Sequence, residues 1–207
     1  MELIYATTNK AKVESMSVRT EGLGVRILSL ADVAAPKLDI AENGTSPLEN
    51  ARIKALAYYA AIKRPLFSAD SGLYIDELDP DDTRQPGVNV RGIGDWMADD
   101  DAIAHYSALA REFGGKITAR YKNALCLVLG DGQIYEHMSD DITSEPFIIT
   151  DTPHSRRVAG FPLDSLSIHI ESGWYYFDIE NREFYSKVDD GYTAFFRRVL
   201  AHVPTNY

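Results

Sequence analysis

The chain has 207 residues, of which 45% are hydrophobic and 25% charged, a composition typical of a soluble globular protein with one domain or two closely packed lobes. Its formal net charge of -10 argues against a general DNA or RNA binder, because phosphate contacts need a basic surface. The single cysteine, Cys126, excludes an internal disulfide and a cysteine-cluster metal site. No apolar run has the length of a membrane span and the first residues lack a secretory pattern, so we predict a cytoplasmic protein without a membrane segment.

The N-terminal part of the chain is predicted to form a β-α-β unit. Apolar runs over residues 2–6 and 25–30 predict two buried strands. Between them, Val13 and Met16 fall on one face of a helix predicted over residues 10–19.

The strongest helix signal follows the loop DIAENGT. Ser46 suits the N-cap position, Pro47 suits the first helical position, and Glu49 completes a capping box. Apolar side chains then repeat at helical spacing through SPLENARIKALAYYAAIK, so we expect a helix along this segment.

The stretch LFSADSGLYID, residues 66–76, combines a buried strand with an acidic tripeptide. Asp and Gly are depleted in strand interiors, so we expect the strand to end at Asp70-Ser71-Gly72, with a second strand after this turn. The acid is then either a plain turn former or a group held at a strand end for chemistry.

The C-terminal half is predicted to be rich in strands and to close with an amphipathic helix. The predicted elements are a helix over about 99–113, a hairpin over 119–138 turning at GDGQ, strands within 142–150 and 174–180, and a helix from 191. This order predicts an α/β fold in which a mixed twisted sheet is flanked by helices, with two lobes around a central cleft. We expect a single domain whose lobes span about 1–114 plus 188–207 and about 115–187.

Polar residues and lysines follow the first predicted strand. A helix N-terminus offers free backbone N–H groups and a partial positive charge, which suit a phosphate. Thr7, Thr8 and Asn9 would add hydrogen-bond donors, and Lys10 and Lys12 would add charge. The same residues equally describe a capped helix with solvated lysines, so the loop alone leaves both interpretations open.

Two acids follow other elements of the predicted sheet. Glu42 precedes the capped helix, and Asp70 follows a buried strand. Carboxylates that arrive from different loops at one sheet edge would hold Mg²⁺, which also binds substrate phosphates. The alternatives are a solvated loop acid at position 42 and a turn former at position 70.

Four motifs in this order resemble those of one family. TTNKAK, ENGTSPLENA, ADSGL and PGVNVRG are similar to the T-x-N-x-x-K, E-x-G-x-[ST]-[FP]-x-E-N-A, D-D-S-G-L and P-G-x-x-[SA]-R segments of the Ham1/ITPase family. These proteins are inosine/xanthosine triphosphate pyrophosphatases that remove non-standard purine nucleotides. The resemblance covers residues 1–95 well and the rest loosely.

The resemblance implies a role for individual residues in the N-terminal half. Glu42 matches a metal-binding glutamate, Asp70 matches the catalytic and metal-binding acid, and Ser71 matches a serine that contacts substrate. The residues that match or lie within the triphosphate-binding loop are Thr7, Thr8, Asn9, Lys10 and Lys12.

In the C-terminal half, AGFPLDSL resembles G-F-G-Y-D-P-I of the family. The resemblance implies that Phe161 and Asp164 bind the nucleoside, with Phe161 stacking on the base, although a core Phe beside a turn is an equal alternative. Lys187 stands for the family's late lysine, and Arg91 is aligned with its arginine.

The chain also departs from the family pattern. Ala69 replaces the first acid of D-D-S-G, and Pro162 and Leu163 replace a glycine and an aromatic residue. The late S-H-R motif, associated with reading the purine, is absent, and Val-Asp-Asp-Gly stands at residues 188–191. Base recognition depends on matching donors to acceptors, so we expect base choice to be altered.

The resemblance as a whole implies a homodimeric, Mg²⁺-dependent nucleoside triphosphate pyrophosphatase. Its substrates would be non-standard purine nucleotides such as ITP, XTP or dITP, and its products the monophosphate and pyrophosphate. One alternative is a nucleotide-binding or regulatory protein with weak or no catalysis. Another is a pyrophosphatase for a different base, as in the similarly folded Maf group, although the chain lacks the S-x-R-R start of that group.

Overall fold

The computed structural model describes residues 1–92, 97–179 and 190–201. The strands within these ranges are β1 (Glu2–Tyr5), β2 (Arg26–Ser29), β3 (Leu66–Ile75), β4 (Lys116–Gly130), β5 (Gln133–His137), β6 (Phe147–Thr150) and β7 (Ser167–Ile168). The helices are α1 (Lys10–Arg19), α2 (Pro47–Ile62), α3 (Asp99–Glu112) and α4 (Gly191–Leu200). Across the described ranges, we find no helix that combines the length and apolarity required to cross a bilayer.

The strands form one mixed sheet in the order β2-β1-β3-β4-β6-β7, and β5 pairs with β4. β1 runs parallel to β2 and β3, whereas β4 is antiparallel to β5 and β6. The predicted α/β fold with a mixed sheet and flanking helices is confirmed.

The described residues divide into two compact units. Unit 1 contains residues 1–71, 123–142 and 190–201, and unit 2 contains the described residues of 72–122 and 143–179. The unit boundaries fall within β3 and β4, so each of these long strands contributes one half to each unit. They therefore differ from the lobe boundaries expected at 114/115 and 187/188, and the single-domain prediction stays a prediction.

The core of unit 1 lies on both sides of β1. Leu3 and Tyr5 pack in one cluster with Phe196 of α4, whereas Ile4 packs in another with Ala55 of α2. Successive side chains of a strand point to opposite faces, so an uninterrupted apolar strand is what a doubly covered sheet requires.

The core of unit 2 packs α3 against strands. Tyr106 and Leu109 of α3 lie in one buried cluster with Ile117 of β4 and Ile149 of β6. The 3.6-residue period of α3 brings these side chains to one face, as its sequence predicts.

The N-terminus of α2 is capped much as the sequence predicts. The Ser46 hydroxyl accepts a hydrogen bond from the Glu49 backbone N–H at 3.3 Å, and Pro47 is the first helical residue. The Glu49 carboxylate reaches one residue further than in a capping box and accepts from both the backbone N–H and the hydroxyl of Thr45.

The prediction that a strand ends at Asp70-Ser71-Gly72 is wrong, because β3 continues through this tripeptide to Ile75. Tertiary contacts outweigh the low strand propensity. A Cβ on Gly72 would lie only 3.0 Å from the Gly87 carbonyl oxygen, so only glycine fits this close approach without displacement. β1, in contrast, stops early: its pairing with β3 ends at Phe67, three residues before Asp70.

The strand predicted within 174–180 is also wrong for the residues described there. Tyr176–Asp178 forms a 3₁₀ turn, and only an isolated bridge joins Tyr175 to Ile168. The neighbouring β7 has only two residues, so there is little ladder for an aromatic run to extend, and strand propensity depends on such packing.

Candidate functional site

Two acids and two lysines lie together in unit 1. The Glu42 carboxylate is 2.5 Å from the Lys54 ammonium. Asp70 lies close enough to Lys54 and Glu42 for both charges to act on its pKa. The charges of Asp70, Lys54 and Glu42 also act on the pKa of Lys12. Four separate segments of the chain therefore converge, as the sequence predicts for the loop after β1, Glu42 and Asp70.

Burial raises the pKa of Asp70 above its ordinary value. Attraction by Lys54 and a hydrogen bond from the Asn50 side chain oppose this effect, and repulsion by Glu42 adds to it. A partly desolvated carboxylate between charges of both signs is a frequent feature of functional sites. It is also a stronger base than a solvated aspartate.

Asn50 connects the two acidic segments. Its side chain is almost fully buried, and its Oδ1 accepts a hydrogen bond from the Gly44 backbone N–H at 2.8 Å. The same side chain also acts on the Asp70 carboxylate as a donor through its Nδ2, which lowers the pKa of that acid against the effect of burial. One amide thus fastens the loop that carries Glu42 to the strand that carries Asp70.

Gly44 makes this connection sterically possible. A Cβ at this position would lie 2.6 Å from the Glu49 Cβ and 2.7 Å from the Asn50 Oδ1. Both distances are too short for any larger residue, so the glycine of the E-x-G segment is required for the loop to reach Asn50.

In the loop after β1, helix capping is observed. The Asn9 side chain accepts hydrogen bonds from the backbone N–H groups of Ala11 and Lys12, at 3.0 and 3.3 Å. The Asn9 backbone N–H in turn donates to the Thr7 hydroxyl at 3.2 Å. Asn9 therefore caps the helix, as one of the two interpretations of this loop predicts. The cap uses its side-chain oxygen and not its amide NH₂.

The two lysines of this loop have different surroundings. Lys12 is exposed as a whole residue, yet desolvation of its ammonium and repulsion by Lys54 lower its pKa, against the attraction of Asp70 and Glu42. The charge of Lys10 acts instead on Asp32. Of the two, Lys12 is the lysine that the structure brings to the acidic pair.

Ser71 lies next to Asp70 but its hydroxyl is already engaged. It donates to the Asn123 Oδ1 at 2.7 Å, and the Asn123 Nδ2 donates to the Ile142 carbonyl at 2.6 Å. This chain of hydrogen bonds orients the residue after the acid. A contact of Ser71 with substrate stays a prediction, as do contacts of the exposed Thr8 and Lys10.

Unit 2 contains a pocket of about 190 Å³ that brings together both predicted nucleoside-binding residues. Its lining includes Phe161, Asp164, Arg91, Tyr106 and Tyr121. The Tyr106 hydroxyl donates to the Val90 carbonyl at 2.7 Å, which fixes one wall, and the Phe161 side chain is 47% exposed at another. The alternative that Phe161 is a core residue is therefore wrong. Leu163, which stands where the family has an aromatic residue, is buried in the core.

The late segment that departs from the family pattern has a structural role where it is described. The Asp190 carboxylate caps α4 by accepting from the Thr193 backbone N–H at 3.1 Å, and it pairs with Arg19 at 2.7 Å. At Gly191 a Cβ would lie 2.4 Å from the Asp141 Cγ, so only glycine fits. Lys187, Val188 and Asp189 lie outside the described residues.

The prediction misses several residues of these regions, among them Asn50, Lys54, Tyr106 and Tyr121. Lys54 had a signal, because it follows Asn50 by four residues and so shares its helix face. Tyr106 and Tyr121 had none, because they come from α3 and β4 and meet only in the fold. Among the described residues no three His, Cys, Asp or Glu side chains form a metal-binding group, so the protein ligands on offer are the two carboxylates.

Comparison with known proteins identifies similar sequences. A model of the Ham1 family matches residues 3–161. The dITP/XTP pyrophosphatase of Rhodopseudomonas palustris is 34% identical over 140 residues, which cover 65% of this chain and 64% of that protein. The enzyme of the same name from Geobacillus kaustophilus is 37% identical over 134 residues, covering 62% and 61%. The matches thus span less than two thirds of these two relatives.

Solved structures are similar along more of the chain. A HAM1 protein from Coxiella burnetii has a TM-score of 0.72 at 20% identity, over 98% of this chain and 100% of that chain. A nucleoside-triphosphatase / dITP/XTP pyrophosphatase from Mycobacterium abscessus has a TM-score of 0.64 at 23% identity, over 89% and 92%. At these identities the likeness shows a shared fold.

Proposed function

The chain belongs to the Ham1 family, and we propose that it is a nucleoside triphosphate pyrophosphatase that acts on non-standard purine nucleotides such as ITP, XTP and dITP. The observation that carries this proposal is the cluster of Asp70, Glu42, Lys12 and Lys54 in unit 1. The names of the similar curated proteins support the same reaction.

The donor set of the cluster fits a hard divalent metal ion. Mg²⁺ keeps several water ligands and takes one or two carboxylates together with substrate phosphate oxygens. We therefore propose Glu42 and Asp70 as its protein ligands. When bound, the ion would neutralise phosphate charge at the reacting anhydride.

The proposed reaction adds water across the bond between the α and β phosphates, giving the monophosphate and pyrophosphate. Asp70 orients the attacking water and accepts its proton, which its raised pKa favours. Lys12 and Lys54 stabilise the negative charge of the phosphate oxygens. Asn50 holds Asp70 in place through the hydrogen bond described above. Thr7, Thr8, Asn9, Lys10, Ser71 and Lys187 remain proposed substrate contacts.

The pocket of unit 2 is proposed to take the nucleoside. Phe161 offers an exposed ring for stacking, and Asp164 and Arg91 offer an acceptor and donors for the polar edge of a base. These groups suit a purine with oxygen substituents, whose edge carries both acceptors and N–H donors.

The proposal is tested by measuring pyrophosphate release with Mg²⁺ from ITP, XTP, dITP, ATP, GTP and a pyrimidine triphosphate. We expect release from the first three at a kcat/KM at least about tenfold above that for the others, a difference of about 1.4 kcal/mol. Release confined to another base would instead support a changed specificity. Equimolar nucleotide binding without release would support the regulatory alternative, which the replacement of an acid by Ala69 favours.

Location and assembly complete the proposal. We propose a cytoplasmic location, which the sequence composition predicts, and a homodimer, which the family resemblance implies. Light scattering at several protein concentrations measures the mass of the particle in solution. A mass of 23.1 kDa, that of one chain, at all concentrations would contradict the dimer.

A further inference from the structure

One acid holds two walls of the unit 2 pocket without lining it. The Asp99 Oδ1 lies 2.5 Å from the Arg91 Nη2, and its Oδ2 accepts a hydrogen bond from the Gly160 backbone N–H at 2.8 Å. Arg91 and Gly160 both line the pocket, whereas Asp99 is the first residue of α3. Each carboxylate oxygen therefore anchors a different wall.

The Arg91 wall has a fixed geometry. While one guanidinium nitrogen pairs with Asp99, the other donates to the Met97 carbonyl at 3.0 Å. Arg91 thereby directs one N–H of each terminal nitrogen to the start of α3, and its ion pair with Asp99 is a charge-assisted hydrogen bond of the stronger type.

The Phe161 wall depends on its backbone. Gly160 has a φ of +83°, a conformation that favours glycine, and Pro162 restricts the chain on the other side of Phe161. Phe161 is 47% exposed, so packing fixes only part of its position. The hydrogen bond from Gly160 to Asp99 is thus a main anchor of the segment that presents the ring.

We propose that Asp99 is the positioning residue of this pocket, setting the separation between Arg91 and Phe161 and thereby the affinity for the nucleoside part of the substrate. This inference rests on the proposed function, which assigns the pocket to the nucleoside. Asp99 itself makes no contact with substrate in this assignment.

The chain offers a matched control in the same helical turn. Asp100 and Asp101 follow Asp99 in the first turn of α3, and both are exposed. All three acids interact favourably with the helix N-terminus. Of the three acids, only Asp99 is hydrogen-bonded to the pocket walls within the described residues. The effect of Asp99→Ala beyond that of Asp100→Ala therefore measures the contribution of its bonds to Arg91 and Gly160.

The experiment compares Asp99→Ala, Asp99→Asn and Asp100→Ala in the Mg²⁺-loaded full chain. Inhibition constants are measured for inosine monophosphate, which carries the nucleoside, and for pyrophosphate, which does not, together with KM and kcat for ITP and the thermal midpoint. For Asp99→Ala we expect the inosine monophosphate constant and KM to rise about tenfold, as loss of charge-assisted bonds would produce. The pyrophosphate constant and kcat should change less than about twofold.

Asp99→Asn should have an intermediate effect, because its amide oxygen can still accept from Gly160 while the ion pair is lost. Asp100→Ala should match the wild type. If Asp99→Ala does not fold, Asp99→Asn carries the comparison.

Two results would overturn the inference: equal inosine monophosphate constants for the Asp99 and Asp100 variants, or a parallel loss of pyrophosphate affinity. Measurements on the wild type test the proposed function separately from this inference. If calorimetry shows that the wild type binds inosine monophosphate but it releases no pyrophosphate, the hydrolase proposal fails. The dissociation constants of the variants then still test the positioning role of Asp99. If the wild type binds neither nucleotide, both proposals are wrong.

Discussion

The two candidate regions are built on opposite principles. In unit 1, charged side chains from separate segments meet around Asp70, and the buried amide of Asn50 holds two of these segments together. In unit 2, aromatic rings line a pocket, and the acid that holds its walls stands outside the lining. Most of the charged cluster is visible as sequence motifs, because acids and lysines are themselves reactive residue types. The pocket depends on residues whose role is indirect.

The comparison predicts that the largest single effect lies in unit 1, at Asp70. Asp70→Asn should reduce pyrophosphate release from ITP by about 10³-fold or more, because it removes a metal ligand and the base that orients water. Steady-state kinetics with Mg²⁺ measures this loss. Asp39→Asn, a change of an exposed acid in the same unit, is the control and should leave the rate within about twofold. Similar rates for both variants would remove Asp70 from the mechanism.

A variant of Asn50 should show how far the charged cluster depends on this uncharged side chain, which contacts both acidic segments. Asn50→Ala leaves the Gly44 N–H without its acceptor and removes the side-chain donor of Asp70, so we expect a loss of about 1–3 kcal/mol in the free energy of unfolding. The rate should fall by about 10²-fold, because Glu42 and Asp70 are no longer joined. Urea unfolding and kinetics measure the two effects, with the exposed Asn89→Ala as control. Full activity in Asn50→Ala would mean that the acids are positioned by other contacts.

Phe161 should give a smaller and differently distributed effect. Phe161→Ala should raise KM for ITP by about tenfold, the scale of one base–aromatic stacking contact, with little change in kcat or stability. Val158, which is 37% exposed and lies in the same segment, gives the control Val158→Ala. A fall in kcat with an unchanged KM would place the role of Phe161 in the chemical step and weaken the contrast between the two regions.

The smallest effect is on stability and follows from the pKa of Asp70. Burial raises this pKa in the folded state, so the folded protein binds the proton more tightly than the unfolded chain. The resulting stability is fully present below the unfolded-state pKa of about 3.8 and is lost as the pH rises through the higher folded-state value. Without divalent metal, Asp70→Asn should therefore have a higher thermal midpoint than the wild type at pH 7.

This difference should shrink as the pH falls toward 4, because Asp70 becomes protonated in the folded state, and it should disappear below the unfolded-state pKa. Thermal unfolding in a chelator between pH 4 and 8 measures it, again with Asp39→Asn as control. A thermal midpoint lower than that of the wild type at pH 7 would mean that attraction by Lys54 outweighs the cost of burial.

Much of the fold follows from local patterns. The bounds of α1 match the prediction of residues 10–19, and Ser46 and Pro47 begin α2 as expected, because caps and helical periodicity act within a few residues. The β4–β5 hairpin follows equally from the glycine at its turn, where Gly132 has a φ of +77°. Such short-range interactions can be predicted from the sequence, because both partners lie within a few residues of each other.

The sequence by itself determined the mixed α/β fold, the capped helices and the identity of Glu42, Asp70 and Lys12, because these depend on residue type and local spacing. Only the tertiary structure decided that β3 runs through Asp70, that Lys54 joins the acids, and that Asp99 reaches the backbone of Gly160, 61 residues away. Such contacts join residues distant in the chain. Their stabilising hydrogen bonds and close packing exist only once the segments have been brought together by burial of the core.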